Sequence, residues 1–326
     1  MLGKMNDNRG ETQQLRERML RALERLPIKV VVGLSGGVDS VALLHGLRAV
    51  GREVVVAHFN HGWRSEADAD EAFCRGLAEK KYGVSFYAEK AVDEEREARE
   101  EVGRRARFVF FRRVCEAVGV WDVVLGHHAD DLVETYLMQL FRGGGVRARG
   151  MVEVMMRDGM RIWRPWLGVW REEVEMFARE EGLKWRDDES NADVRYRRNW
   201  IRHVLIPLLE REGGYKEVRR ALWRSARVMA DRGEWIEGLV KRWREMETLA
   251  VDEIKGWPVG MQREVVYGWL KERGVRDVSF KDVEDVLGLL VRDKPPRVNV
   301  AGELQVYRRA GRIGVRRQVD EEEIKG

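Results

Sequence analysis

Cysteine is nearly missing from this 326-residue chain, where Cys74 and Cys115 are the only two. They lie far apart, and neither has a CxxC partner or a zinc-type histidine spacing, so neither a disulfide framework nor a thiolate metal site is implied. Both are expected in the core. No apolar run approaches the roughly 20 residues that span a bilayer, and the opening MLGKMNDNRGETQQ has no apolar signal region. A membrane protein is excluded on this reading, and the cytoplasm is the expected compartment. Internal repeats and low-complexity segments are also lacking. Charge of one sign hardly dominates either, with a formal net charge of only +4, which by itself signals little more than tolerance of a polyanion.

What is present is a globular composition, 44% hydrophobic and 36% charged, over a length that favours two domains. Arginine bunches at Arg142 to Arg149, Arg195 to Arg202 and Arg308 to Arg317. Its forked donors suit phosphate better than lysine does, although solvated surface charge accounts for any one cluster equally well. The first half alternates short apolar runs with longer amphipathic stretches, which predicts an α/β fold with a doubly wound parallel sheet. Strands are expected at Ile28 to Leu34, Glu53 to Phe59, Val84 to Ala88 and Asp122 to Gly126, with a further short one at Met160 to Trp163. Helices are expected from a Ser65 cap through Lys81, from Asp93 through Ala117, after Asp130 up to the triple glycine at Gly143, and over Arg171 to Glu181. From about Glu217 the periodicity turns helical, through Met246 and again at Met261 to Arg273 and Phe280 to Leu290. The tail alternates apolar and polar residues around Ala301-Gly302 and Ala310-Gly311, a small β element. The predicted domains are therefore residues 1–216 and a smaller, mainly helical 217–326.

Between the first strand and its helix stands Ser35-Gly36-Gly37-Val38-Asp39-Ser40. Such a loop sits at the carboxyl edge of a parallel sheet, where α/β proteins place ligands. The two glycines let backbone N–H groups point inward, Ser35 and Ser40 add hydroxyls, and the helix that follows offers its positive end; a phosphate group suits all three. The G-x-x-x-x-G-K-[ST] spacing of a Walker loop is absent, and an acid, Asp39, stands where that loop has lysine. An acid beside phosphates repels them unless a cation intervenes, so Asp39 implies Mg²⁺ bridging to a polyphosphate. The plainer alternative is a Gly-Gly turn with Asp39 capping the helix.

This stretch is similar to the SGGxDS signature of the PP-loop, or N-type, ATP pyrophosphatases, which adenylate a substrate with ATP and release pyrophosphate. Further segments narrow the resemblance. AHFNHGWRSEADADE (Ala57 to Glu71), LGHHADDLVETYLMQLFRGGG (Leu125 to Gly145), RPWL (Arg164 to Leu167), DESN (Asp188 to Asn191) and RNWIR (Arg198 to Arg202) resemble, in order, the motifs of the tRNA(Ile)-lysidine synthetases. Trp63 and Leu132 depart from the usual leucine and glutamine. The resemblance implies that ATP adenylates O2 of the wobble cytidine in a tRNA(Ile) with a CAU anticodon, and that the ε-amine of free L-lysine then displaces AMP. It also implies ATP contacts at Ser35, Gly36, Gly37, Val38, Asp39, Ser40, His127 and the main chain of Ala57, His58 and Phe59.

A cationic lysine must be bound and deprotonated before it attacks, which calls for carboxylates. Asp130, Asp131 and Glu134 supply them. With a helix starting near Asp130, Glu134 lies one turn further on the same face, so the two can converge on an ammonium group, while Asp131 serves Mg²⁺ or caps the helix. Acids placed only to suit the helix dipole are the alternative. Negative charge growing on the α-phosphate calls for a cation. Gly103 to Phe108 is similar to the family's A-R-x-x-R-Y segment and nominates Arg104 and Arg107; pairing of this helix face with Glu97, Glu100 and Glu101 is the competing account. His58, His61, His127 and His128 follow strand ends, yet none can be assigned as a general base from sequence. RYRRNWIRH (Arg195 to His203) interleaves cations and aromatics, which suits unpaired bases and their phosphates. Arg197, Arg198, Asn199 and Arg202 are the expected tRNA contacts, with Trp200 either stacking or core, and residues 217–326 a helical tRNA-binding domain. Oligomeric state stays open, a homodimer included. Rival readings are a tRNA thiolase of the same superfamily, which needs catalytic cysteines, and a non-catalytic RNA-binding protein on the same scaffold.

Overall fold

The computed structural model describes residues 2–60, 62, 67–91, 100–144, 147–186, 193–214, 216–291 and 296–318. His61, Ser65, Asp93, Glu97 and the Asp188 to Asn191 segment lie outside them. Two compact units divide the chain, Met1–Ala230 and Asp231–Gly326, and the division falls inside a single helix, Val218–Glu245.

In the first unit, strands β1 (Lys29–Gly33), β2 (Glu53–Asn60), β3 (Phe86–Lys90), β4 (Asp122–Val124), β5 (Val154–Arg157) and β6 (Met160–Trp163) form one sheet in the order β3-β2-β1-β4-β6-β5. All neighbours are parallel except β5, which pairs antiparallel with β6 along the edge. Helices α1 (Leu2–Glu24), α2 (Val38–Ala49), α3 (Ala67–Arg75), α4 (Glu100–Val118), α5 (Ala129–Phe141) and α6 (Arg171–Glu180) surround it. The expected α/β sheet is therefore present.

Consecutive valines explain why both sheet faces are covered. Side chains alternate along a strand, so a run without polar interruption must bury both sides. Val30, Val32, Val54, Val56 and Val124 face a cluster with Met19, Leu23, Leu44, Trp166 and Phe177. Their neighbours Val31, Val55, Ala57 and Val123 face another with Phe108, Phe111, Val114 and Cys115. Both cysteines are fully buried, as expected. Around this sheet the structure adds α1 and β5, which sequence patterning does not foresee. Helix α1 seats Met19 and Leu23 in the first cluster, and a methyl group on Gly46 of α2 would stand 2.7 Å from Leu23 Cδ1, so the two helices meet closely there.

Strand order reverses between β1 and β4, because the chain moves outward from β1 to β2 and β3 and returns to the other side of β1 for β4. The loops leaving β1 and β4 consequently open the crevice in which sheets of this type bind ligands. Gly126, just past β4, lacks the Cβ that would sit 2.9 Å from the Asp39 carbonyl oxygen. Only glycine lets these two backbones touch.

The rest of the chain begins with short helices α7 (Arg197–Trp200) and α8 (Ile206–Arg211), then α9 (Val218–Glu245). In the second unit α10 (Val251–Ile254), α11 (Val259–Glu272) and α12 (Phe280–Gly288) pack with an antiparallel sheet of β7 (Leu249–Ala250), β8 (Arg297–Val300), β9 (Leu304–Arg309) and β10 (Arg312–Arg317). Trp269, Leu270, Val286, Val306 and Ile313 form its core. The Ala310-Gly311 turn, with φ of 49° and 75°, closes the expected hairpin.

Candidate active site

The loop after β1 is braced by its own serines. Ser40 Oγ accepts the N–H groups of Ser35 at 3.1 Å and Gly36 at 3.2 Å, and donates to the Gly37 carbonyl at 3.0 Å. Gly36 has φ +92°, a conformation that side chains resist, and a Cβ there would meet Cys74 Sγ at 3.2 Å. Gly37 opens α2 with no side chain capping its first turn, leaving that helix end to whatever binds in the crevice. Arg186 closes one wall: its N–H donates to the Gly36 carbonyl at 3.0 Å and its Nε to Asp70 at 2.7 Å.

Ala57, His58 and Phe59 at the end of β2 tie into the loop's root. The Ala57 carbonyl accepts Leu34 N–H at 3.0 Å, and His58 Nδ1 lies 2.8 Å from the Leu34 carbonyl. All three residues are buried. Burial holds the His58 imidazole below its usual range, so it is neutral. Ala57 and Phe59 point their side chains into the α4-side core.

Asp39 sits in the first turn of α2 and faces the β4 loop. Its Oδ2 lies 3.5 Å from the Arg171 guanidinium, whereas Oδ1 is buried and accepts no hydrogen bond. Burial pushes this carboxyl up, with His128 and Arg171 opposing. His128, almost wholly buried, stands among three carboxylates: Asp130 at 3.4 Å, Asp131 at 3.4 Å and Asp39 at 3.8 Å. Burial alone would lower its pKa, but the surrounding acids raise it to about 9, so at neutral pH this side chain is a cation and no base. His127 is the reverse case. Burial, aided by Arg164, Arg107 and Arg198, drives it down to about 3, leaving a neutral ring whose Nδ1 has no hydrogen-bond partner.

Helix α5 delivers the acids. Asp131 accepts the His128 N–H at 3.0 Å and thereby caps the helix, one of the two roles foreseen for it. Asp130 accepts Arg171 N–H at 2.9 Å and the Arg219 guanidinium at 3.0 Å. Burial works against its ionisation, yet His128, the Arg171 N–H and Arg219 hold it down at about 2. Glu134, 1% exposed, takes Arg202 through two bonds of 2.6 and 3.1 Å, with Arg198 Nε at 3.3 Å. Asp130 and Glu134 do share one side of α5, and each already faces an arginine. Burial and Asp131 raise the Glu134 pKa while Arg202 and Arg198 pull it back.

The Asp130 shift has a testable consequence. A carboxyl held at about 2 against an ordinary 3.8 stabilises the fold above pH 3.8 and loses that contribution as pH falls through 2. The contribution amounts to about 2 kcal/mol. Urea unfolding should show the stability difference between the parent and Asp130→Asn shrinking by that amount from about pH 5 to about pH 2; a pH-independent difference would contradict it.

Arg104 and Arg107 lie on α4, Arg104 exposed and Arg107 half-buried, and the field of Arg107 reaches both His127 and Arg164. In α7, Arg198 donates to Thr135 Oγ1 at 2.9 Å, and buried Asn199 donates to the Asp193 carbonyl at 3.0 Å. Arg198, Asn199 and Arg202 thus point into protein, whereas Arg197, Tyr196 and Trp200 face outward, Trp200 at 42% exposure. Sequence reasoning misses Arg171, Arg186 and Arg219 altogether, since no local pattern marks an arginine that meets an acid some 41 to 132 positions away.

Burial first, and then nearby acids, push the Cys74 thiol up to about 12 and Cys115 up to about 11, so neither is a thiolate at neutral pH. Among the described residues no helix is long and apolar enough to cross a membrane.

Residues 11–209 match the family model described as a PP-loop domain. The chain is similar to a curated tRNA(Ile)-lysidine synthase from Ralstonia nicotianae, with 34% identity over 88% of this chain and 64% of that protein. It is also similar to one from Thermus thermophilus, with 39% identity over 72% of this chain and 44% of that protein. It spans less than two thirds of either relative's length. A solved U34-tRNA thiolase, NcsA from Methanococcus maripaludis, superposes with a TM-score of 0.48 at 18% identity, over 67% of this chain and 78% of that one, a likeness too distant to bear on activity.

Proposed function

The chain belongs to the PP-loop domain family, and from that membership we propose that it is a tRNA-modifying ligase that makes lysidine. Its substrates are ATP, free L-lysine and a tRNA(Ile) with a CAU anticodon; its products are the modified tRNA, AMP and pyrophosphate. The similarity to tRNA(Ile)-lysidine synthases supports the substrates. The observation that carries the chemistry is that the glycine-serine loop after β1 ends, in the uncapped first turn of α2 and facing the β4 loop, on an acid whose buried oxygen has no hydrogen-bond partner.

In this reading Ser35 to Ser40 grip the β- and γ-phosphates with backbone N–H groups, hydroxyls and the end of α2. The main chain at Ala57 to Phe59 and the neutral His127 flank the nucleoside side. The orphaned Asp39 Oδ1 suits a divalent cation, since magnesium sites commonly combine one or two carboxylates with substrate phosphates. Bound there, Mg²⁺ would offset phosphate charge. Cytidine O2 attacks the α-phosphorus as the bond to the β-phosphate oxygen breaks, and Arg107, with Arg104, meets the charge that develops.

Lysine then enters the array of acids and arginines on α5 and α7. A free amino acid carries both charges, so Asp130 and Glu134 can take an ammonium while Arg202 takes its carboxylate. Once the ε-ammonium has given one proton to a neighbouring carboxylate, its nitrogen attacks C2, the C2–O2 bond breaks, AMP departs with the oxygen, and a second proton passes from the new C–N nitrogen to water. His128, being cationic, holds the carboxylates in place and takes no part as base. Tyr196, Arg197 and Trp200 present stacking and phosphate contacts to the RNA, Arg198 and Arg202 fix that segment onto α5, and Asn199 braces it internally through the Asp193 carbonyl. Residues 217–326 supply further tRNA contacts.

Mass analysis of such a tRNA after incubation with protein, ATP and lysine tests the proposal. A lysine adduct on one cytidine, with pyrophosphate release dependent on both tRNA and lysine, is expected. RNA binding with no nucleotide turnover would leave only the scaffold reading.

A further inference from the structure

Helix α9 breaks the chain's near balance of charge. The 13 residues from Val218 to Ala230 hold four arginines and no acid, in a chain of 60 basic and 56 acidic residues. Cations in a first helical turn oppose the helix dipole, so Arg219 and Arg220 are not there for the helix's own sake. Arg219 is balanced by Asp130, Glu172 and Glu210. Arg220 and Arg227 have aromatic neighbours instead, Trp170 at 5.5 Å and Trp223 at 5.8 Å. Among the described residues Arg25, Arg220, Arg224 and Arg227 have no carboxylate partner.

Further along the same helix lies a cavity of about 520 Å³ between α1 and α9, lined by Arg18, Arg21, Arg25, Trp223 and Arg227, with Glu17 and Glu153 also on its wall. Arg18 and Arg21 are tied to Glu173 and Glu17, and Arg25 and Arg227 remain as the uncompensated cations. Trp223 is fixed by donating from Nε1 to the Leu167 carbonyl at 2.7 Å. The phosphate loop contributes nothing to this lining, so the cavity is separate from the nucleotide site. Earlier on the same helix, Arg219 donates to Asp130, and both Arg219 and Arg220 lie over Trp170.

We propose that this cleft holds the phosphodiester backbone of the RNA substrate, outside the nucleotide that reacts. The inference rests on the tRNA-modifying reading above. Unpaired arginines beside an aromatic ring are the usual equipment for a nucleic-acid strand. A run of them leading away from catalytic acids gives that strand a direction, from the anticodon toward the body of the molecule.

The test is the salt dependence of binding. Association of a tRNA(Ile) transcript with a CAU anticodon is measured over a range of salt for the full chain and for Arg25→Ala/Arg227→Ala. Neither arginine leaves a buried acid behind, so the variant is expected to fold, which its thermal unfolding reports. If two phosphate contacts are lost, the slope of log K against log salt falls by about 1.5 and affinity drops several-fold. An unchanged slope overturns the proposal, as does an unchanged tRNA slope with weakened ATP binding, which would make the cleft a nucleotide site. Failure of the parent chain itself to bind the transcript would instead strike the functional reading.

Discussion

Replacing Asp39 by alanine is expected to cut pyrophosphate release from ATP by roughly 100-fold or more, while tRNA affinity stays within about twofold. Oδ1 of this carboxylate is buried without a donor, 3.8 Å from His128 and close to Asp131, beside the loop proposed to hold the phosphates. An acid in that position raises the energy of bound polyphosphate unless a cation offsets it, and in the proposed function that offset is what turnover depends on. Asp39→Asn keeps shape and hydrogen-bonding capacity and should fail nearly as badly. Turnover by either variant within about threefold of the parent, in the same pyrophosphate assay, would remove Asp39 from the chemistry.

Arg202→Ala should be the most damaging change to the fold among the site residues. It strips two bonds from Glu134, which is 1% exposed and whose pKa burial already pushes upward. Breaking a buried ion pair from one side costs about 3–5 kcal/mol, and Glu134 would be left with Arg198 Nε, at 3.3 Å, against its buried charge. For a unit of this size the melting temperature should fall by roughly 10 °C. Adding Glu134→Gln to the same chain removes the stranded charge and should recover part of the loss, with lysine adduct formation still absent. Equal melting temperatures for parent and Arg202→Ala would show that Glu134 is held in some other way.

Much of this architecture was readable in advance because its signals are local. Valine runs mark β1 and β2, a glycine-serine break marks the loop between apolar segments, and Asp130 and Glu134 fall on one side of α5 by helical spacing. The edge strand β5 was missed although its cue is there: Asp158-Gly159, with φ of 49° and 82°, is a two-residue hairpin turn. Helix α1 gives little local signal because its start is polar, while its buried residues, Met19 and Leu23, come later. The arginines are a different matter. The guanidinium groups of Arg171, Arg202 and Arg219 meet acids 132, 68 and 89 positions away, pairings that only the fold brings about. The protonation of His128 follows from those same distant neighbours, so no reading of HHADD alone could have assigned it.

Gly126 abuts the Asp39 carbonyl so closely that a single carbon cannot be inserted. Any side chain at position 126 would therefore have to push the start of α2, and Asp39 with it, away from the end of β4.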